Sequence, residues 1–345
     1  MIFRFLRNRS EAENIHFYDP LLNMRYFSWL TVRIVTNTWV VVHVVGTATL
    51  LLADIQWAFW LGVLNFLYLL DRLLHYARPQ EYLPEYGGEH GNIARYFTPR
   101  ARRAVISAHS RSSILGGGFF LNLARILSET KPVVEMLARL DVDHKEFGSK
   151  IDAYVNKETA SYRNEERLLG EVEYLTLVAF GNRRRGQRSI DYADLFAALG
   201  GVKNEQAVSL FGVFEINGVS LERVAFFGRQ KAVIGYINNL LGLTTRKIYK
   251  LYEDVPTETV SADEAVIILF NHVLELEKTY RVFVLYSAIE TAIGISARYF
   301  NALPVFQSAE KLLHTASLYV SRRGDYIVRD NDVLSAGDSS AGTAY

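Results

Sequence analysis

Between Ile34 and Leu52 the chain carries no acidic residue, lysine or arginine, and between Ile55 and Leu70 there is again none. A helix that is apolar on every side has to be covered, by lipid or by more protein, so these tandem runs constrain the fold more than any other feature. The first is long enough to cross a bilayer, which needs about 20 residues, and the second is nearly as apolar and is closed by Asp71 and Arg72. All four tryptophans lie between Trp29 and Trp60, with Trp29, Trp57 and Trp60 near the ends of the runs, where interfacial aromatics are favoured. Arg4, Arg7, Arg9 and Arg25 precede the first run, and Arg72, Arg78 and Arg95 follow the second. The expectation is a transmembrane helical hairpin over 29–76 behind a basic N-terminus, 1–28, with lipid as a partner. The positive-inside rule then gives a membrane localisation with both termini cytoplasmic. The competing reading is a buried hairpin of a soluble protein, because the second run is short. A cleaved signal peptide is disfavoured, since no small-residue cleavage site follows the first run.

With 345 residues there is room for two or three domains, and 38 Lys plus Arg against 37 Asp plus Glu gives no global bias toward nucleic acid. Cysteine is absent, which excludes disulfides and thiolate zinc sites. The eight histidines are scattered, so no metal site is expected. Residues 77–96, with Pro79, Pro84, Gly87, Gly88 and Gly91, read as an extended linker.

From Phe97 to Val155 apolar residues fall at helical spacing in four short blocks. Thr98 and Pro99 form a cap and a first-turn proline ahead of the stripe Ala101, Ala104, Val105 and Ala108. Gly116, Gly117 and Gly118 break that helix, and Phe119, Phe120, Leu123, Ile126 and Leu127 mark the inward side of the next. Thr130 and Pro132 open a third block, and Asp143 with Glu146 has capping-box spacing before a fourth carrying Phe147, Ile151 and Tyr154. A charged stretch follows. A second set of four blocks then runs through Leu175, Leu195 and Phe196, Leu210 and Phe211, and Leu221 and Phe227, so an internal duplication is expected over 97–230. The best-matched ends pair Val142-Asp143 and Phe147 with Val219-Ser220 and Val224. Residues 231–260 suit connecting helices, Ser261 to Glu264 form a capping box that opens a helical region over 261–330, and the small-residue tail 331–345 reads as flexible. Arg183, Arg184, Arg185 and Arg188 form a basic loop without interleaved aromatics, so no nucleic-acid partner is expected.

Two segments carry a resemblance. Phe97-Thr-Pro-Arg-Ala-Arg-Arg-Ala104, then Val134 to Leu140 running into Asp141-Val142-Asp143, looks like the Clp amino-terminal repeat, a four-helix unit that occurs as a tandem pair in Clp-type AAA+ unfoldases. Ala265 to Ala316, with Val282-Phe-Val284, Ser296-Ala-Arg-Tyr299 and Leu303-Pro304, resembles the small helical lid of the first ATPase module of that family, and the two segments occur in the family's order. The resemblance implies an all-α fold, protein substrates or adaptors as partners, and association with an AAA+ ring or a Clp peptidase. Relatives often carry Glu-His at the start of the second helix of each repeat, where the acid of some recognises phosphorylated arginine. The corresponding residues here are Phe119 and Phe120 in the first copy and Ala193 and Asp194 in the second, which argues against that ligand and leaves them as candidates for contacting peptide or partner, with the alternative, favoured for the two phenylalanines, that they are core. Arg298, Tyr299 and Pro304 are the positions through which a lid would touch nucleotide. Val305-Phe306 replaces the family's Asp-Lys, however, and His314 an acidic position.

ATP hydrolysis in that superfamily needs a G-x-x-x-x-G-K-[ST] loop, and the chain has none. Phe227 and Ser261 are only about thirty residues apart, too few for a hidden ATPase domain of at least ~50. No cofactor is therefore expected, with ATP and magnesium relevant only if an ATPase module is supplied elsewhere. No G-x-S-x-G elbow or thiol nucleophile suggests other catalysis. Two functional readings follow. One is a membrane-anchored, ATPase-deficient capture portion of a Clp-type unfoldase in protein quality control. The alternative is an independent helical membrane scaffold or adaptor with no link to an ATPase, for which Ser261 to Arg323 would pack onto the repeats as one body.

Overall fold

The computed structural model describes residues 15–23, 26–75, 78–83, 91–157, 165–183, 187–241, 262–299 and 305–341. Fourteen α-helices and four two-residue strands make up these segments, so the all-α expectation holds. The chain divides into two units, 1–127 with 151–202 and 128–150 with 203–345.

In the first unit, α1 (Tyr26–Leu51) and α2 (Gln56–His75) pack against each other as a hairpin. Their seam is made of small and polar groups: Thr47 and Ala58 are buried, and Asn65 Nδ2 donates to Thr47 Oγ1 at 2.7 Å. A Cβ on Gly62 would lie 2.9 Å from the backbone nitrogen of Leu51, so only glycine permits this approach. The transmembrane expectation is not upheld. No helix among the described residues is long and apolar enough to cross a membrane. The apolar run of α1 is interrupted by Asn37, His43, Thr47 and Thr49, and that of α2 by Asn65, Asp71 and Arg72. The placement in a membrane with both termini cytoplasmic loses its basis with it.

Both ends of the hairpin are tied to the same base. Strand β1 (Ile15–His16) pairs in parallel with β2 (Gly91–Asn92), and Asn92 exchanges side-chain hydrogen bonds with the backbone of Tyr18. Asp19, fully buried, caps Leu21 N and binds Arg102 of α3 (Pro99–Leu115). The described part of 77–96 is thus not an open tether: Leu83, Ile93 and Ala94 are buried, and Leu83 N donates to Arg188 O at 2.9 Å. Helix α3 packs on α7 (Glu165–Gly181) and α8 (Tyr192–Leu199), and Ser112 ties it to α4 (Phe119–Ser128) by accepting from Asn122 Nδ2. The starts of α3 and α8 are clasped. Thr98 N donates to Ile190 O, Ile190 N to Tyr96 O, and Thr98 Oγ1 to Asp191 Oδ1 while accepting from Ala101 N.

The second unit holds α5 (Lys131–Arg139), the first turns of α6 (His144–Lys157), α9 (Glu205–Val213) and α10 (Gly218–Leu241). It also holds α11 (Ala262–Tyr280), β3 (Phe283–Val284), α12 (Tyr286–Tyr299), α13 (Val305–Arg323), β4 (Ile327–Val328) and α14 (Asp330–Ala341), with β3 and β4 parallel. One local turn recurs at two of the places that the sequence pairs. After α5, Asp141 takes a left-handed φ of 57° and Val142 N donates to Leu137 O at 2.9 Å; after α9, Glu215 takes 54° and Ile216 N donates to Phe211 O at 3.0 Å. These are Schellman-type helix ends. The caps that follow also correspond: Asp143 Oδ1 accepts Lys145 N, and Asn217 Oδ1 accepts Ser220 N. Asp143 therefore corresponds to Asn217, and Phe147 to Leu221, three residues from the sequence alignment on Ser220 and Val224.

The span 97–230 expected to form one repeat domain is divided: α3, α4, α7 and α8 fall in the first unit, α5, α9 and α10 in the second, and α6 is shared between them. Within the second unit Phe147 packs on Phe214 at 5.3 Å and on Phe211 at 6.0 Å, joining the two copies of the turn. The tail departs from the flexible expectation, because α14 packs on α12 and α13 with Val333 and Ala336 fully buried. Asp332 Oδ2 accepts Arg329 N at its start, and Gly337 lies against Ile295, so the small residues serve close packing here. Ser261 of the expected capping box and the connecting segment after Leu241 lie outside the described residues.

Candidate functional site

The repeat residues singled out from the sequence are all inside. Phe119 and Phe120 are 0% and 6% exposed, and Ala193 and Asp194 are each 8% exposed. The two rings pack edge-to-face at 5.7 Å, and the Asp194 carboxylate is spent on capping, accepting from Asp191 N at 2.8 Å and Gln187 Nε2 at 3.0 Å. None of the four presents an open surface. Arg298 and Tyr299, at the end of α12, are exposed, and Pro304 lies outside the described residues. No group of His, Asp or Glu among the described residues is placed to hold a metal ion.

An acid does reach the start of α4, from a different helix. Glu171 of α7 accepts the amide of Phe119 through Oε2 at 3.4 Å and Arg167 Nε through Oε1 at 3.3 Å. Burial holds its carboxyl above the usual range, against the opposing pull of the Phe119 amide and Arg167. The turn beneath is fixed by Asn122, whose Nδ2 donates to Ser112 Oγ, Gly116 O and Gly118 O. On α3, burial pushes the His109 imidazole below its ordinary value in spite of Glu165, which favours the neutral ring.

The densest polar centre surrounds Arg139, the last residue of α5, whose side chain is 2% exposed. Its guanidinium makes a two-pronged pair with Glu277 of α11, Nη1 to Oε1 at 2.9 Å and Nη2 to Oε2 at 3.1 Å, and donates to Val284 O of β3 at 3.0 Å. The faces of the cation are covered by Phe227 of α10 at 3.9 Å and Phe283 of β3 at 4.4 Å. Glu277 Oε1 also accepts Val284 N at 3.0 Å, so one carboxylate orders both the arginine and the strand. Desolvated arginine–aromatic contacts are worth about 2 kcal/mol, and the planar fork suits a bidentate carboxylate. Nearby, Arg223 donates to Tyr286 Oη at 2.8 Å and to Glu290 at 3.2 Å, and Tyr286 donates to Glu290 at 2.7 Å. Burial, first of all, raises the pKa of that phenol. Farther along, His272 of α11 pairs with Glu310 of α13 at 3.0 Å, and this contact holds Glu310 below the carboxylate range. The sequence reading missed Arg139. Its only trace there is an arginine one residue before the apolar Leu140 that ends a buried face.

Fold and site together define a class, an all-α protein whose charged groups tie helices to one another. No known family, characterised protein or solved structure matches the chain.

Proposed function

We propose that this chain is a non-catalytic helical scaffold, an adaptor that binds other proteins, with the lid-like region serving as a fixed part of its framework. The observation that carries this is the Arg139 centre. It joins α5 and α10 of the repeats to α11 and β3 of the lid-like region in one unit. A nucleotide lid has to move relative to its neighbours as ATP is bound and spent. A buried, bidentate and aromatic-covered pair opposes such motion, because parting it would strand Glu277 and the cation without partners.

The second reading, capture of substrates or adaptors for a Clp-type unfoldase, draws support from the turn built twice at Asp141 and Glu215, which fits a tandem repeat. Affinity isolation of the full chain after mild cross-linking, with and without ATP, separates the two. The scaffold reading expects partners whose recovery does not depend on nucleotide. Nucleotide-dependent recovery of an AAA+ ring, or of its peptidase, would replace it with the second reading.

A further inference from the structure

The hairpin of α1 and α2 is built inside out. Its seam holds Thr47, Ala58, Gly62 and Asn65, while Trp39, Trp57 and Trp60 are 62%, 69% and 59% exposed and point away from the seam. The remaining outward surface is mostly aliphatic and aromatic, with Val41, Val44, Leu64 and Phe66 half to two-thirds exposed, and is interrupted by the uncharged polar residues Asn37, Thr38, Thr49 and Gln56. Six aromatic rings, each exposing about half of ~200 Å², already amount to roughly 600 Å². The valines and leucines between them carry the total around the hairpin well past the ~800 Å² that each partner contributes to an ordinary interface, and since consecutive Val40, Val41 and Val42 are all exposed, a partner on one face covers part of it. A typical monomer leaves a largest apolar patch of only about 300–600 Å².

We infer that this hairpin is a self-association surface, on which the hairpin of a second copy packs to close a four-helix bundle. Three observations favour a second copy over a different protein. First, the surface between Ile34 and Leu70 carries a single charged residue, Asp54, at the turn. Interfaces between unlike proteins that must also exist apart are about as polar as ordinary surface, whereas homodimer interfaces are more apolar. Second, two antiparallel helices form a face that can meet its own copy about a two-fold axis, and the product is an ordinary up-down bundle. Third, the hairpin is presented by a built base. Pairing of β1 with β2, the Asn92 bonds to Tyr18 and the Asp19–Arg102 contact hold its two ends together, which lowers the ordering cost of docking.

The inference adds to the scaffold reading and does not depend on it: a chain that failed to act as an adaptor could still pair through this hairpin. The test is sedimentation equilibrium of the full chain without detergent, beside the single variants Val44→Glu and Trp60→Glu, which put a charge on the outer faces of α1 and α2. The wild type is expected as a dimer at micromolar concentration, and each variant as a monomer with dimerisation weakened at least 100-fold and helical circular dichroism retained. Because the chain has no cysteine, Val44→Cys offers a second readout: oxidation should yield a covalent dimer, whereas Tyr326→Cys, exposed in the other unit, should not. A wild type that stays monomeric, aggregates without a defined size, or pairs as tightly when either glutamate is present overturns the inference. Flotation of monomeric chain with phosphatidylcholine vesicles would also overturn it, by assigning the face to lipid.

Discussion

Arg139 shows how much one side chain can decide. With its partners in place the buried pair is satisfied on every oxygen of Glu277, and removing one partner strands the other in the interior. Arg139→Ala should therefore destabilise the second unit by about 3–5 kcal/mol. The double variant Arg139→Met, Glu277→Leu should recover only part of that, because an apolar pair needs no solvation but leaves Val284 N and O without the partners this pair supplies; denaturant unfolding of the three proteins checks both. His109 gives a pH signature. Its folded pKa lies below the ordinary 6.5 through burial, so the unfolded chain binds the proton more readily. Stability contributed by the neutral ring is present above 6.5 and lost as pH falls below it, and His109→Leu should flatten that loss in thermal unfolding between pH 7 and pH 5. Glu171 works the other way. Its raised folded pKa makes stability decline as pH climbs through and above the carboxylate range, and Glu171→Gln should remove that decline. Thr98 could be read from sequence because a cap acts on its own next turn. Arg139 could not, because its partners lie far along the chain and an arginine closing a short helix looks solvated.

At the scale of elements, the turns after α5 and α9 place Asp141 and Glu215 in left-handed backbone, where an L side chain costs roughly 1–2 kcal/mol. Glycine would relieve that cost while giving up about 0.5–1 kcal/mol of chain entropy. Asp141→Gly and Glu215→Gly should each raise stability by a few tenths to ~1 kcal/mol, read as a higher denaturation midpoint at unchanged slope. Gly117 is the converse case. Its φ is +83° and a Cβ would sit 2.6 Å from Val155 Cγ1, so Gly117→Ala should destabilise the α3–α4 turn, by about 1–3 kcal/mol, in the same assay. Helix starts and glycine breaks were legible because they are local. The alignment of the two repeats was not, because Asn217 and Ser220 are both plausible caps and only the hydrogen bond from Ser220 N distinguishes them. Small residues misled at the tail, where Ala336 and Gly337 suggest slack in a sequence and close contact in a fold.

For the whole molecule, the expected repeat domain is not self-sufficient. A fragment of 97–230 keeps Arg139 and Phe227 but loses Glu277, Phe283 and Val284, so it should unfold without cooperativity and bind a hydrophobic dye, while the full chain does neither. Cooperative unfolding of that fragment at full-chain stability would show that the lid-like region is dispensable. The sequence by itself determined what depends on a few neighbouring residues: helices rather than a sheet, the cap at Thr98, the glycine break at Gly116 to Gly118, and the hairpin with its tight turn at Asp54. Only the tertiary structure decided which faces were spent. It buried Phe119, Phe120, Ala193 and Asp194, turned the large apolar residues of the hairpin outward, and divided the span 97–230 between two units. The reason is that periodicity shows which residues share a face, whereas burial depends on what the distant chain brings to it.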